Sequence, residues 1–469
     1  MTRLTVDAAA RGQWTGGVDW TEEAAWARTR QPLTAATGLD PGAYVSQEFF
    51  DLERQQVFER AWVCIGIADE LAVASTGSTA TPPSTAPSGA RAGRHPMLVR
   101  QVGSKSVIVT RNDAGELRGF VNSCRHRGTE LAESDCEIAG TIRCPYHRWG
   151  YSLDGALKAT PFFDEVPRED FDRADFGLMP VRVDIWGVLL FACLDAATPP
   201  LTEWLGDLPK RLAGYGLESW TTCHQQSLDI AANWKLISEN FQEYYHLTWV
   251  HPELAKVSRV ADHYRYQGAG MYCGQTTTPV SGDERDDWLA MPAAVGLDES
   301  DAVSGRFVSI FPNVILSVLP NHVWMMRLEP ISPGATRETC TMLVPPNNSG
   351  ATVASVSATR DFWLDVNDED IDIVTRGQRG LTRGGVPPGP LAPRFEEPLH
   401  RFHNMLADHM TRSSEPITVP VGDRPGVEAD EWGAGTNPTP AAVDVHAVSV
   451  VLLEGFADVV DEGADGGGS

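Results

Sequence analysis

The chain has 469 residues, 42% of them hydrophobic and 22% charged, which suits two or three packed domains and excludes a disordered or fibrous chain. Its formal net charge of −25 repels nucleic-acid phosphates and anionic membranes, so neither is an expected partner. No apolar run is long enough to span a bilayer, no secretory leader is visible, and eight scattered cysteines suggest reduced thiols, which together point to a cytoplasmic protein.

In chain order, residues 1–43 form a polar N-terminal segment with Trp14, Trp20 and Trp26 scattered in it. A helix is predicted from Gln47 to Trp62, where Phe49, Phe50, Leu52, Val57 and Phe58 recur near helical spacing. Residues 72–95, rich in Ser, Thr, Pro, Ala and Gly, read as a flexible insertion. Short strands are expected at Ser106–Thr110 and Leu117–Val121 around a turn at Asn112–Gly115, then near 140–143, 149–153 and Val181–Leu194. Helices are expected over Leu201–Tyr215, Trp234–Trp249, Arg360–Gln378 and Glu397–Met410, with strands at Phe307–Leu319 and His322–Arg327. Residues 412–469 are a Pro-, Gly- and Asp-rich extension with one apolar patch, Val448–Phe456.

Two constellations carry chemistry. The first is Cys124-Arg-His126 and Cys144-Pro-Tyr-His147, each in a loop after a predicted strand. Two thiolates and two imidazoles can bind a tetrahedral zinc, or a [2Fe–2S] cluster with both sulfurs on one iron and both nitrogens on the other. Structural zinc sites usually pair like with like, whereas each loop here offers one sulfur and one nitrogen, which favours the cluster. Cys136, between the loops, fits neither motif and reads as a buried thiol.

The second constellation is His246 and His251 near the end of the helix predicted from Trp234. Residues five apart stand about 140° apart around a regular helix, so the pair shares a face only if the helix is distorted. Pro252 disfavours helical geometry at His251, and a widened, π-like turn would align the two rings. A third metal ligand would be a distant carboxylate, for which Asn367-Asp-Glu-Asp-Ile-Asp372 offers four acids.

Asn122-Ser-Cys-Arg-His-Arg-Gly128 and the run from Cys144 to Gly155 closely resemble the two cluster loops of Rieske proteins. Asn233-Trp-Lys235, Glu239-Asn240 and an acid three residues before His246 resemble the iron-binding helix of Rieske non-haem iron oxygenase catalytic (alpha) subunits. Phe311-Pro-Asn313, Gln378-Arg-Gly-Leu381 and Glu397-Pro-Leu-His-Arg-Phe-His403 fit the same pattern, which covers roughly residues 44–410. The resemblance implies an α+β fold. An all-β Rieske domain at 44–180 is followed by a helix-and-antiparallel-sheet catalytic domain at 181–411. It implies a [2Fe–2S] cluster on Cys124, His126, Cys144 and His147, and Fe(II) on His246, His251 and Asp370. Asp368, Glu369 and Asp372 are the alternatives to Asp370. Glu243, often Asp in ring-hydroxylating members, would bridge an iron-ligand histidine to a cluster histidine of the neighbouring subunit.

Within the family, Glu243 and the residues around it look most like the group that oxidises quaternary ammonium compounds, which includes glycine betaine and stachydrine demethylases and carnitine monooxygenase, with choline monooxygenase a further relative. The implied activity is hydroxylation of a carbon next to nitrogen in a small-molecule substrate. Electrons would come from NAD(P)H through a separate reductase or ferredoxin, since no dinucleotide fingerprint is present. A homotrimer is implied as well. The alternatives are an aromatic-ring hydroxylating dioxygenase or dealkylase and, from another class, a Rieske electron carrier. Tyr244, Tyr245, Trp249 and Trp324 are candidates for holding a substrate cation.

Overall fold

The computed structural model describes residues 18–72, 94–166, 168–258, 260, 263–277, 291–346, 350–384 and 386–413. The expected insertion and C-terminal extension fall almost wholly outside the described residues.

Two antiparallel sheets organise these residues. The first joins β1 (Val63–Ile67), β2 (His95–Val102), β3 (Lys105–Arg111), β4 (Leu117–Val121), β5 (Cys136–Ile138), β9 (Pro180–Trp186) and β10 (Leu189–Cys193), in the order β1-β10-β9-β4-β3-β2-β5. A small second layer holds β6 (Thr141–Arg143), β7 (Gly150–Ser152) and β8 (Leu157–Ala159). The first sheet runs past the expected divide at 180/181. β10 is buried along its whole length, and its backbone partners are β1 and β9. We therefore place the division between the domains after β10. Cys136, expected to be buried, is exposed, because it opens β5, which ends the sheet.

The large catalytic-side sheet contains β11 (Thr221–Ile230), β12 (His263–Gln267), β13 (Tyr272–Thr277), β14 (Gly305–Ile310), β15 (Val314–Val318), β16 (Val323–Ser332) and β17 (Ala335–Val344), in the order β11-β17-β16-β15-β14-β13-β12. Apart from β11, which pairs with β17 at one edge, neighbours in sequence are neighbours in space. β15 is wholly buried, so its apolar side chains are covered on both faces.

The helices differ in several places from the sequence expectation. The stretch Gln47–Trp62 forms α2 (Gln47–Glu53), capped by Ser46, which accepts from Phe49 N at 3.2 Å, and continues as a π turn over Arg54–Phe58. A four-residue helix, α1 (Gly42–Val45), precedes it. The region 201–215 is broken into α3 (Leu201–Leu205) and α4 (Leu208–Arg211). Between them Gly206 adopts φ +57°, and a side chain there would strike the backbone of Gly270. α5 (Trp234–Gln242) is followed by α6 (Leu247–Val250) and α7 (Leu254–Val257). α8 (Val353–Gly384) has 32 residues, and α9 is Glu397–Thr411.

The short motifs of the resemblance act here as scaffold. Asn233 caps α5 by accepting from Lys235 N (3.0 Å) and donates from its amide to Tyr44 O and Pro333 O. Its own N–H reaches Gln378 Oε1 on α8 at 2.9 Å. Trp234 Nε1 and Lys235 Nζ donate to the two oxygens of Glu53 at 2.9 and 2.7 Å, with Glu53 and Lys235 fully buried. The Trp234 ring packs edge-on between Phe58 (5.1 Å) and Phe402 (5.5 Å). α2, α5, α8 and α9 are thereby locked together. Asn313 ties the two large sheets: its side chain pairs with both backbone groups of Cys64 on β1, each at 2.9 Å, and donates to Leu328 O on β16.

Candidate metal centres

The first centre sits on two loops with the same backbone frame. Cys124 N donates to Thr129 O (2.8 Å) and Gly128 N to Cys124 O (2.9 Å). In the second loop Cys144 N donates to Trp149 O (2.9 Å) and Arg148 N to Cys144 O (3.2 Å). Each frame closes through a residue of positive φ, Gly128 at +70° and Arg148 at +61°. Asn122 braces the first loop by accepting from Leu131 N and Ala132 N and donating to Ser106 Oγ and Ala132 O.

These loops bring the four predicted residues together. Both cysteines are buried and free, and both histidines are partly exposed. The His126 and His147 rings lie 4.7 Å apart, and His126 stacks on Trp149 at 4.6 Å. The Tyr151 hydroxyl reaches Cys124 Sγ (3.2 Å) and accepts from Arg125 N (3.1 Å). Burial pushes the Cys124 thiol up, and the Tyr151 hydrogen bond offsets only part of this.

Two observations test which metal group fits. His126 Nδ1 is buried without a partner, a costly state for an imidazole nitrogen unless a metal takes its lone pair. A single zinc would gather its four donors at roughly 2.0–2.3 Å, bringing them to within about 4 Å of one another. Among the described residues only one group of three or more such donors lies within 4.8 Å of one another, and it is not this one. Two thiols and two imidazoles, one of each from each loop, are the donor set that a two-iron cluster takes.

The compact group is His246, His251 and Asp370. The expected π-like turn is absent between the histidines. α5 stops at Gln242, and Glu243 adopts extended backbone. The Glu243 carboxylate then takes over the next turn, accepting from Tyr245 N and from His246 N (3.2 Å). His246 precedes α6 and His251 follows it, with Pro252 blocking continuation. A break in the helix, rather than a widened turn, brings the rings to a centroid separation of 5.1 Å.

Asp370 projects from α8. Its Oδ1 lies 2.9 Å from His251 Nε2, 3.6 Å from His246 Nε2 and 2.6 Å from Asn240 Nδ2. On the far side of each ring a second carboxylate is engaged: Glu243 Oε1 at 2.5 Å from His246 Nδ1 and Glu369 Oε2 at 2.7 Å from His251 Nδ1. If each Nδ1 holds the proton for its carboxylate, each Nε2 presents a lone pair towards Asp370, itself an acceptor. Three lone-pair donors converging on one point call for a cation, so the residues fit a divalent metal with two imidazoles and one carboxylate. Without a metal, burial lowers the basicity of His251, but the Asp370 and Glu369 carboxylates outweigh it and leave its pKa raised. Of the four acids in 367–372, Asp370 reaches both rings and Glu369 orients one of them. That role for Glu369 was missed from sequence, where it was only an alternative ligand.

The three side chains border a cavity of about 70 Å³. Phe241, Phe307, Trp324, Met326 and Trp363 give it apolar walls, and Ser258, His263 and Gln275 a polar end. Of the candidates for holding a cation, Tyr244 and Trp324 line it. Tyr245 and Trp249 are exposed and do not. Trp363, on α8, lines it without having been singled out from sequence.

Residues 87–170 match the family described as Rieske [2Fe–2S] domain, and residues 217–412 match the ring hydroxylating alpha subunit catalytic domain. The glycine betaine monooxygenase oxygenase subunit of Pseudomonas aeruginosa (strain UCBPP-PA14) is 26% identical over 399 residues, covering 78% of this chain and 87% of its own. The carnitine monooxygenase oxygenase subunit of Acinetobacter baumannii is 28% identical over 214 residues, 45% of this chain and 52% of its own. Among solved structures, a quaternary ammonium Rieske monooxygenase involved in carnitine oxidation superposes with a TM-score of 0.64 at 21% identity, covering 80% of this chain and 96% of that one.

Proposed function

We propose that this chain, which by its two matched domains belongs to the Rieske non-haem iron oxygenases, hydroxylates a carbon next to nitrogen in a small quaternary ammonium or N-methyl compound. The observation that carries the reading is the convergence of His246, His251 and Asp370 on one point at the edge of an aromatic-walled cavity. The glycine betaine and carnitine relatives support the substrate class.

In this reading Cys124, His126, Cys144 and His147 hold the [2Fe–2S] cluster, and His246, His251 and Asp370 hold Fe(II). When bound, the cluster supplies electrons drawn from NAD(P)H by a separate reductase, and the iron supplies oxygen activation. The rest is the work of side chains. Glu243 and Glu369 fix the two ring tautomers, so that both Nε2 atoms stay available as ligands. Asn240 donates to Asp370 and holds its carboxylate in one orientation. The apolar walls exclude water from the space where the substrate carbon must sit. Glu243 Oε1, engaged only by His246 Nδ1, keeps a spare lone pair, which supports acceptance of an imidazole from a neighbouring copy and hence the homotrimer. A cytoplasmic location belongs to the same proposal. Among the described residues no helix is long and apolar enough to cross a membrane.

The test is a single turnover. The purified, iron-loaded protein is chemically reduced and given O₂ with glycine betaine, carnitine, choline or stachydrine. Cluster oxidation that depends on substrate, with matching formaldehyde or aldehyde, is expected. Full metal loading with no reaction on any of the four would remove the quaternary-ammonium reading and turn attention to aromatic rings.

A further inference from the structure

We infer that Trp324 and Trp363 form the face that binds the substrate's cationic head, and that His322 and Asn321 hold Trp363 in that role. The inference rests on the quaternary-ammonium reading above. Trp363 lies on α8 seven residues before Asp370, about two helical turns, so the two side chains point the same way. Trp324 comes from β16. Both border the cavity that also takes in His246 and Asp370. The two indoles are stacked 13° from parallel with centroids 6.3 Å apart, and they are 1% and 5% exposed.

The hydrogen bonds behind Trp363 run in one direction only. An indole N–H can donate but not accept. Trp363 Nε1 lies 2.6 Å from His322 Nε2, so that nitrogen must carry the lone pair. The imidazole proton is therefore on Nδ1, which lies 2.7 Å from Asn321 Oδ1, and Asn321 Nδ2 in turn donates to Met291 O at 2.6 Å. Burial pushes the His322 pKa down to about 3, so the ring stays a neutral acceptor over the working pH range.

This arrangement ties the polar edge of Trp363 into the protein and leaves carbon ring surface for the cavity. A trimethylammonium group has no N–H and cannot be held by hydrogen bonds. It is recognised by the negative face of an aromatic ring, and the indole face is the strongest of these. A neutral group of the same shape gains the apolar contact but not the electrostatic attraction.

The experiment compares dissociation constants, by calorimetry on the iron-loaded protein, for each cation and its carbon isostere. The pairs are glycine betaine against tert-butylacetate, and choline against the alcohol with a tert-butyl group in place of trimethylammonium. The wild-type protein should bind at least one cation about tenfold more tightly than its isostere. Trp363→Phe and Trp324→Phe should each cut that preference to about threefold or less. His322→Phe should do the same with both indoles still present. A purely structural role would weaken both ligands of a pair together and leave the ratio alone. An unchanged ratio in all three variants overturns the inference while the substrate reading stands. If the wild-type protein binds neither cation, the substrate reading itself fails and takes the inference with it.

Discussion

At the proposed cluster site all four candidate donors fall between Cys124 and His147, on two loops closed by the same pair of backbone hydrogen bonds. At the proposed iron site the candidate donors are residues 246, 251 and 370, carried by a broken helix and by the middle of a long one. The first centre is a local object that short-range sequence specifies. The second exists only when α5 and α8 are held at the right distance, and that task falls to buried groups that touch no metal: Asn233, Trp234, Lys235, Glu53 and Gln378. A locally built centre should therefore be lost by changing a ligand, and a centre built across the fold also by changing its scaffold.

The largest expected effect is at the local centre. Cys144→Ser should abolish the cluster's visible absorbance, while about one iron per chain stays at the other site. Loss of all iron would show that the two centres are not independent. Next is the scaffold. Glu53→Ala leaves the Lys235 ammonium buried without its partner, which should cost about 3–5 kcal/mol in denaturant unfolding. A loss under about 1 kcal/mol would mean that this pair does not hold α2 to α5.

Glu243→Gln keeps the size of the side chain but replaces an acceptor oxygen by an N–H₂ group. Turnover should fall by up to about 100-fold with both metals still bound, and unchanged turnover would remove the positioning role. Glu369→Ala should have the smallest effect, since that side chain is 41% exposed. Iron affinity, read by competition with a chelator, should weaken by about tenfold, and no change would leave His251 oriented by Asp370 alone.

The same contrast explains what was legible in the sequence. Cys124, His126, Cys144 and His147 could be grouped because a loop motif keeps its donors within a few residues. His246, His251 and Asp370 were brought together by resemblance, and the structure assembles them. The local geometry was misjudged, because periodicity does not reveal that the Glu243 carboxylate can end α5 by capping the following N–H groups. Gly206 broke another expected helix through a close approach to Gly270, a contact 64 residues away in sequence. Trp363, His322 and Glu369 carry no local signature. Their roles arise from what α8 meets across the fold.

The most direct test of two separately built centres in one chain is iron and acid-labile sulfide analysis of the wild-type protein beside Asp370→Ala. The wild-type chain should hold about three irons and two sulfides. The variant should hold about two irons with sulfide and cluster absorbance unchanged. A variant that keeps three irons, or that loses its sulfide together with its iron, would contradict the assignment of Asp370 and the independence of the two centres.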